Sequence, residues 1–254
     1  MTEGTTTGNS LSTVERTFEI IELLKEVDGA RVSEVADKLD IPKSTAFNYL
    51  STLNQQGYLI KHGDEYQVSL KFLDIGGYAA NRKDVYQKAK QVAKQLAQET
   101  NERAQLVVKE RTYGICMCMY LGDNAVQTNV RIGMRLDLHT TAAGKAILAH
   151  LPDEERNELF ERRELSRATE HTLTERDQLR EELERVRESE VAFNREERID
   201  GQNAVGVPLI PDDFLIGAFS VSGPSHRMKG SRLEETIPDL LLGYVNELEL
   251  NMTY

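Results

Sequence analysis

From Val32 to Tyr58 the chain reads VSEVADKLDIPKSTAFNYLSTLNQQGY, a pattern that few folds accept. Ser33 reads as the cap of a short helix, Glu34 to Leu39, with Val35, Ala36 and Leu39 apolar. The turn DIPKS follows. Pro42 suits a helix start, and Ser44 is a second cap residue. The next helix runs from about Ser44 to Gln56, with Ala46, Phe47, Leu50 and Leu53 as its buried face and Gly57 as its stop. Upstream, Leu11 to Val27 carries Val14, Phe18, Ile21 and Leu24 at helical spacing, with Ser12 or Thr13 as cap, and Asp28-Gly29-Ala30 breaks it. Downstream, Tyr58, Ile60, Gly63-Asp64, Tyr66 and Val68 describe a hairpin with a tight turn. Three helices and a hairpin are the pattern of a winged helix-turn-helix over residues 10–71, with the paired inner helices at about 31–50.

In such a unit the second inner helix enters the major groove of DNA. Its outward residues would be Lys43, Ser44, Thr45, Asn48, Tyr49 and Thr52. Small hydroxyls and an amide near a helix N-terminus suit phosphates and base edges, Asn pairs with adenine bidentately, and Lys43 reaches phosphate or guanine. The alternative is an ordinary helical hairpin with a polar face. Charge opposes DNA binding: the 254 residues carry a net −11, and residues 1–80 hold 7 lysines and arginines against 12 acids, a net of −5. The wing tip, HGDE, is acidic where a wing tracking phosphates would prefer bases. Either local cations (Arg16, Arg31, Lys43, Lys61) make the contact, or the protein works in concentrated salt, where the Debye length falls to ~3 Å at 1 M. An acidic chain with a DNA-binding head points to a salt-loving archaeon.

The remainder, 72–254, alternates helical and strand patterns. A short helical connection spans Lys71–Ala80. Arg82–Thr100 is helical, with Val85, Ala89, Val92, Ala93 and Leu96 in one stripe. Strands are expected at Ala104–Lys109, Tyr113–Tyr120, Ala125–Val130, Asn203–Ile210 and Phe214–Ser222. Helices are expected at Pro152–Arg163, Thr174–Glu190 and Leu233–Asn251. This describes an α+β second domain. The Glu- and Arg-dense segment 162–198 reads as a solvated helical face laced with ion pairs, or as a tetramer contact. Cys116 and Cys118 lie two apart in an apparent strand, so they are expected to share a face as packed thiols. No metal spacing and no cofactor motif is present. No apolar run approaches the ~20 residues of a membrane span. The N-terminal MTEGTTTGNS lacks the apolar core of a signal peptide and reads as a disordered tail, so a soluble cytoplasmic protein is expected.

The stretch HTTAAGKAILAH, His139–His150, raises the question of chemistry. A phosphate loop needs Gly-x-x-x-x-Gly-Lys-Ser/Thr. Here His139 stands where the first glycine belongs, and Ala146 replaces the hydroxyl. Ser220 and Ser222 lack the Gly-x-Ser-x-Gly elbow, and no partner marks His139 as a general base. No catalytic residue is assigned. What remains is a small-residue turn, Ala142-Ala143-Gly144, feeding a helix N-terminus whose free N–H groups favour an anion. Close packing of helix on sheet is the simpler explanation of those small residues.

The chain resembles the IclR family of transcriptional regulators along almost its whole length. STVERTFEIIELL resembles that family's first helix and VSEVADKLDIPKSTAFNYLSTLNQQGYL its helix-turn-helix. RIGMRLDLHTTAAGKAILAH and IGAFSVSGP resemble two hallmark segments of its effector-binding domain. The resemblance implies a winged helix-turn-helix, a linker helix and a C-terminal GAF-like effector-binding domain. It implies homodimers or tetramers bound to palindromic promoter DNA and a small polar or anionic metabolite as effector. Carried over by position, the effector contacts would be Ala142, Ala143, Ser220 and Ser222. Asn194 falls where some acid-binding members have aspartate, and Ala204 where they have cysteine. The amides Gln202 and Asn203 suit a polyhydroxylated ligand or are plain turn residues. The expected role is control of catabolic genes, with sugar or sugar-acid (for example pentose) degradation as first guess. Two rival readings are a small-molecule sensor acting through protein assembly and an enzyme with a regulatory N-terminal domain.

Overall fold

The computed structural model describes residues 10–253; the tail expected at the N-terminus lies largely outside them. The chain divides into two compact units, Met1–Ala80 and Asn81–Tyr254.

The first unit contains α1 (Ser12–Glu26), β1 (Ala30–Arg31), α2 (Val32–Lys38), α3 (Lys43–Gln55), β2 (Leu59–His62), β3 (Glu65–Val68) and most of α4 (Lys71–Asn81). The strands form an antiparallel sheet in the order β1-β3-β2. Ile20, Ile21, Leu24, Val35, Ala36, Ala46, Leu50, Leu53, Leu59 and Tyr66 are buried together. Each large aliphatic side chain contributes about 1.5–3 kcal/mol when fully buried.

The winged helix-turn-helix pattern is present, but several details differ from the sequence reading. In α1 the core takes Ile20, Ile21 and Leu24, while Val14 and Phe18 stay exposed. The apolar stripe is wider than the surface the helix packs against, and spacing alone does not choose its buried edge. Phe47 is likewise 51 % exposed, because Ala46, Leu50 and Leu53 already fill the inner face of α3. In the hairpin, Leu59 turns inward and Ile60 outward. The caps differ too. Leu11 and Pro42 occupy the N-cap positions of α1 and α3, without a side-chain cap bond. At α2 the Glu34 carboxylate accepts the Arg31 backbone N–H at 2.7 Å, so neither Ser33 nor Ser44 is used as a cap.

The second unit holds α5 (Asp84–Thr100), β4 (Arg103–Glu110), β5 (Tyr113–Leu121), β6 (Arg135–Leu136), α6 (Ala142–His150), α7 (Asp153–Arg162), α8 (Arg176–Ser189), β7 (Ala192–Arg195), β8 (Gln202–Leu209), β9 (Gly217–Pro224) and α9 (Ile237–Thr253). Six strands pair antiparallel in the order β6-β5-β4-β9-β8-β7. One face packs against α5 and α9, through Leu96, Leu106, Val205, Phe219 and Leu241. The other packs against α6, α7 and α8, through Val107, Ile147, Phe160, Leu183 and Ala218. The result is an α+β domain with helices on both faces of an antiparallel sheet.

Three expectations fail here. The strand expected at Ala125–Val130 is irregular, and the sheet edge is closed by β6 pairing with Gly114–Ile115 instead. The alternating VQTNV pattern has strand propensity but no partner, and propensity yields to pairing. Phe214 is exposed, in a segment that precedes β9. The two cysteines do not share a face. A register shift between Leu106 and Val107 interrupts the β4–β5 ladder, with Leu106 opposite Cys118 and Val107 opposite Cys116. The bulge sends Cys118 into the α5/α9 core and Cys116 into the α6 core.

Candidate functional site

Two places in the fold collect the residues singled out from the sequence, one in each unit.

In the first unit, Lys43, Ser44 and Asn48 lie exposed on α3, opposite its buried Ala46–Leu50–Leu53 face. Phe47 joins them, and Thr52 donates its hydroxyl to the Asn48 carbonyl one turn back. Thr45 and Tyr49 are half-buried at the flank, with Tyr49 packed against the core. Arg16 is not on α3; it pairs with Glu19 at 2.9 Å and reaches the Leu39 carbonyl at 3.4 Å. Arg31 pairs with Glu65 of the wing at 3.6 Å, and Lys61 sits over the Tyr66 ring. Lys43 forms no ion pair among the described residues.

In the second unit the sheet register aligns residues far apart in sequence. Asn194 on β7 is opposite Ala204 on β8, Ala204 is opposite Ser222 on β9, and Ser222 is opposite Arg103 on β4. The next row runs Ala192, Gly206, Ser220 and Gln105. Both rows fall on the α6 side of the sheet. A Cβ on Gly206 would lie 2.6 Å from the Ala142 carbonyl carbon and 2.7 Å from the Ala143 nitrogen. The bare glycine is what lets the first turn of α6 settle on β8. Ala142 and Ala143 are accordingly buried. Thr141 caps α6 by accepting the Gly144 N–H at 3.0 Å.

Polar side chains tie this layer together. Arg103 donates Nε–H to Ser222 Oγ at 2.9 Å, and its guanidinium also reaches Thr128 Oγ1 and, at 3.5 Å, Gln202 Oε1. Asn194 donates Nδ2–H to the Thr140 carbonyl at 2.6 Å and accepts the Glu197 N–H at 3.2 Å. Arg198 donates to Thr140 Oγ1 at 3.4 Å. Asn203 belongs elsewhere. Buried on the opposite face, it donates to the Met228 carbonyl at 2.8 Å, so of the two amides only Gln202 borders this layer. Sequence reading missed Arg103, Gln105 and Arg198. The signal was present in ERAQLVV, where Arg and Gln alternate inside an otherwise apolar strand.

The groups that looked chemically reactive are otherwise engaged. Burial pushes the Cys116 thiol up to about 12, far from the range of a nucleophilic thiolate. His139 Nε2 lies 2.9 Å from the Ser166 carbonyl, and burial lowers its pKa against the raising effect of that bond. Lys145 is 1 % exposed and bridges Glu197 at 2.7 Å and Glu182 at 3.1 Å. A Cβ on Gly144 would lie 2.0 Å from the Leu138 carbonyl oxygen. The Gly-Lys pair thus packs and neutralises within the fold. No cluster of potential metal ligands occurs among the described residues.

Comparison with known proteins matches both units. Residues 13–63 match the IclR helix-turn-helix domain, and residues 77–242 match the bacterial transcriptional regulator IclR C-terminal domain. A probable HTH-type transcriptional regulator ArcR from Halobacterium salinarum is 32 % identical over 95 % of this chain and 94 % of its own length. The crystal structure of the Thermotoga maritima IclR superposes with a TM-score of 0.81 at 27 % identity, covering 96 % of this chain and 100 % of that one. The inducer-binding domain of a PobR double mutant from Acinetobacter, in complex with 3-hydroxybenzoic acid, is 26 % identical with a TM-score of 0.58, over 63 % of this chain and 95 % of that one. The helix-turn-helix and the sheet-and-helix domain behind it together make this chain a member of the IclR family of transcriptional regulators.

Proposed function

We propose that the chain represses or activates catabolic genes by binding promoter DNA through α3 and a small hydroxylated metabolite at the α6 face of the second sheet. The supporting observation is the contrast between the two layers. The outer face of α3 gathers Lys43, Ser44, Phe47 and Asn48, all free to meet DNA. The α6 face buries Gln105, Asn194, Ser220 and Ser222, polar residue types that are mostly exposed in folded proteins. First-turn amides of α6 at Ala142 and Ala143, with Ser220 and Ser222 on β9, would orient the ligand beside the small side chain of Ala204, which stands between Asn194 and Ser222 in the sheet. The row of hydroxyls and amides favours a polyhydroxylated compound such as a sugar or sugar acid. Ligand binding would favour one arrangement of paired DNA-binding heads over another, and operator affinity would change by the difference in ligand affinity for the two. This reading makes the active species a homodimer or tetramer.

The experiment is fluorescence anisotropy with the duplex upstream of the protein's own gene. Lys43→Ala should weaken binding, on all sequences where it removes a phosphate contact and at one position where it removes a guanine contact. Asn48→Ala should cost about 1–3 kcal/mol and relax preference at one adenine. Phe47→Ala should weaken binding where its ring meets a thymine methyl. Unchanged affinity in all three variants would remove α3 as the reading helix. A second expectation follows from charge: with 12 acids against 7 bases in residues 1–80, affinity should hold or rise as KCl increases from low salt, because repulsion is screened as well as attraction. A steep monotonic loss would contradict it.

A further inference from the structure

A buried carboxylate oxygen without a donor is costly, and a fold that keeps one invites an explanation. Glu197 is 7 % exposed. Its Oε1 accepts the Lys145 ammonium at 2.7 Å and the Arg195 backbone N–H at 3.3 Å. Its Oε2, buried as well, meets no hydrogen-bond donor among the described residues. Other acids of this unit are better served. Glu102, buried too, is answered by Arg227 and Arg232. Glu182 shares Lys145 but draws a second cation, the exposed Arg185, at 3.0 Å. Arg195 stands two residues from Glu197, yet its guanidinium goes to Glu234 at 3.4 Å. One buried ammonium therefore serves two carboxylates, and the deeper of the two keeps an oxygen without a donor.

Glu197 lines a cleft of about 300 Å³ whose other walls are His171, Leu173, Glu182, Phe193 and Arg195. A single water, with its share of about 30 Å³ in the liquid, fills little of it. We propose that this cleft is a second small-molecule site, which takes a primary ammonium carried on a short apolar body. The ammonium supplies the donor that Glu197 Oε2 lacks and the charge that balances the second carboxylate. Its carbon chain lies against Leu173 and Phe193, the apolar part of the lining. The backbone that presents the carboxylate is already held in place. The Thr169 and Thr172 hydroxyls donate to the carbonyls of Glu196 and Glu197, each at 2.7 Å. No group of three potential metal ligands forms among the described residues, and the Lys145 ammonium between the two acids would repel a divalent ion. The cleft is separate from the effector layer proposed above. None of Ala142, Ala143, Asn194, Ser220 and Ser222 lines it. Phe193 packs toward the α5/α9 core, while Asn194, next to it on β7, turns to the Thr140 carbonyl.

The test titrates the full chain with two matched pairs of probes and follows binding by ligand-observed NMR. The pairs are n-butylammonium with 1-butanol, and 2-phenylethylammonium with 2-phenylethanol. At least one ammonium should bind saturably, and its alcohol should bind roughly tenfold or more weakly, the worth of one hydrogen bond to a charged group. Glu197→Gln, which keeps the shape and removes the charge, should weaken the ammonium by a similar factor. His171→Trp fills the cleft from an exposed position and leaves the Lys145 ion pairs alone. It should abolish binding while its Tm stays at the wild-type value, and it decides the matter even if Glu197→Gln fails to fold. Binding that survives either substitution undiminished overturns the proposal. An alcohol that binds as well as its ammonium, or a wild type that takes neither ammonium, overturns it too.

Discussion

Lys145→Met should cost the second unit about 3–5 kcal/mol, the loss expected when one partner of a buried ion pair is removed. The ammonium is 1 % exposed and lies 2.7 Å from Glu197 and 3.1 Å from Glu182. Methionine keeps the length of the side chain and most of its packing, so the loss reports the charge. Chemical denaturation of wild type and variant measures it. Acid gives a second handle. Burial pushes the Glu182 carboxyl up, but Lys145 beside it, and then Arg185, hold it below its ordinary value of 4.5. A carboxyl depressed in the folded state contributes stability that is present above its unfolded pKa and lost as pH falls through the folded one. The difference between wild type and Lys145→Met should therefore be constant above about pH 5 and narrow below pH 4.5, as Glu182 takes up its proton. A loss below 1 kcal/mol, or one independent of pH in this range, would show that the ion pair is not holding α6 to α8 and the turn after β7.

Gly206→Ala should be nearly as damaging, at about 3 kcal/mol or more, the upper end of overpacking costs. The added methyl carbon meets the Ala142 carbonyl carbon at 2.6 Å and the Ala143 nitrogen at 2.7 Å. Both are backbone atoms that no rotamer change can move. Relief requires lifting the first turn of α6 from β8, the movement that would spoil an effector site there. On the effector-site reading proposed above, the variant should also lose ligand binding, measured by titration calorimetry at a temperature where it remains folded. Its α3 face, in the other unit, is untouched. Calorimetry that found the variant as stable as wild type would mean that α6 does not rest on β8 as described.

The architecture was legible because it is written in local signals. Turn residues and apolar spacing around Pro42 and Gly57 locate α3, and Gly63-Asp64 locates the wing. The IclR hallmarks then supply the second domain. What was lost depends on tertiary choice. Phe18 and Phe47 sit at core spacing yet face outward, because Ile20, Ile21 and Ala46, Leu50 take the buried surface. The cysteines separate because one bulge inverts the alternation after it. In the candidate site, Ser220, Ser222 and Asn194 came from resemblance. Arg103 and Gln105 were overlooked although they interrupt an apolar strand on alternate positions, since nothing in a linear reading says which strand faces α6. Lys145 invited a phosphate-loop reading that its spacing rejects, and its two acid partners lie 37 and 52 residues downstream.

The most direct test of the central claim is selection from a pool of random duplex DNA by the purified full chain, beside a Lys43→Ala/Asn48→Ala double variant. A regulator reading DNA through α3 predicts enrichment of a two-fold symmetric pair of half-sites by the wild type, and none by the double variant. A pool that emerges unenriched from the wild type, or identically enriched by both proteins, would contradict it.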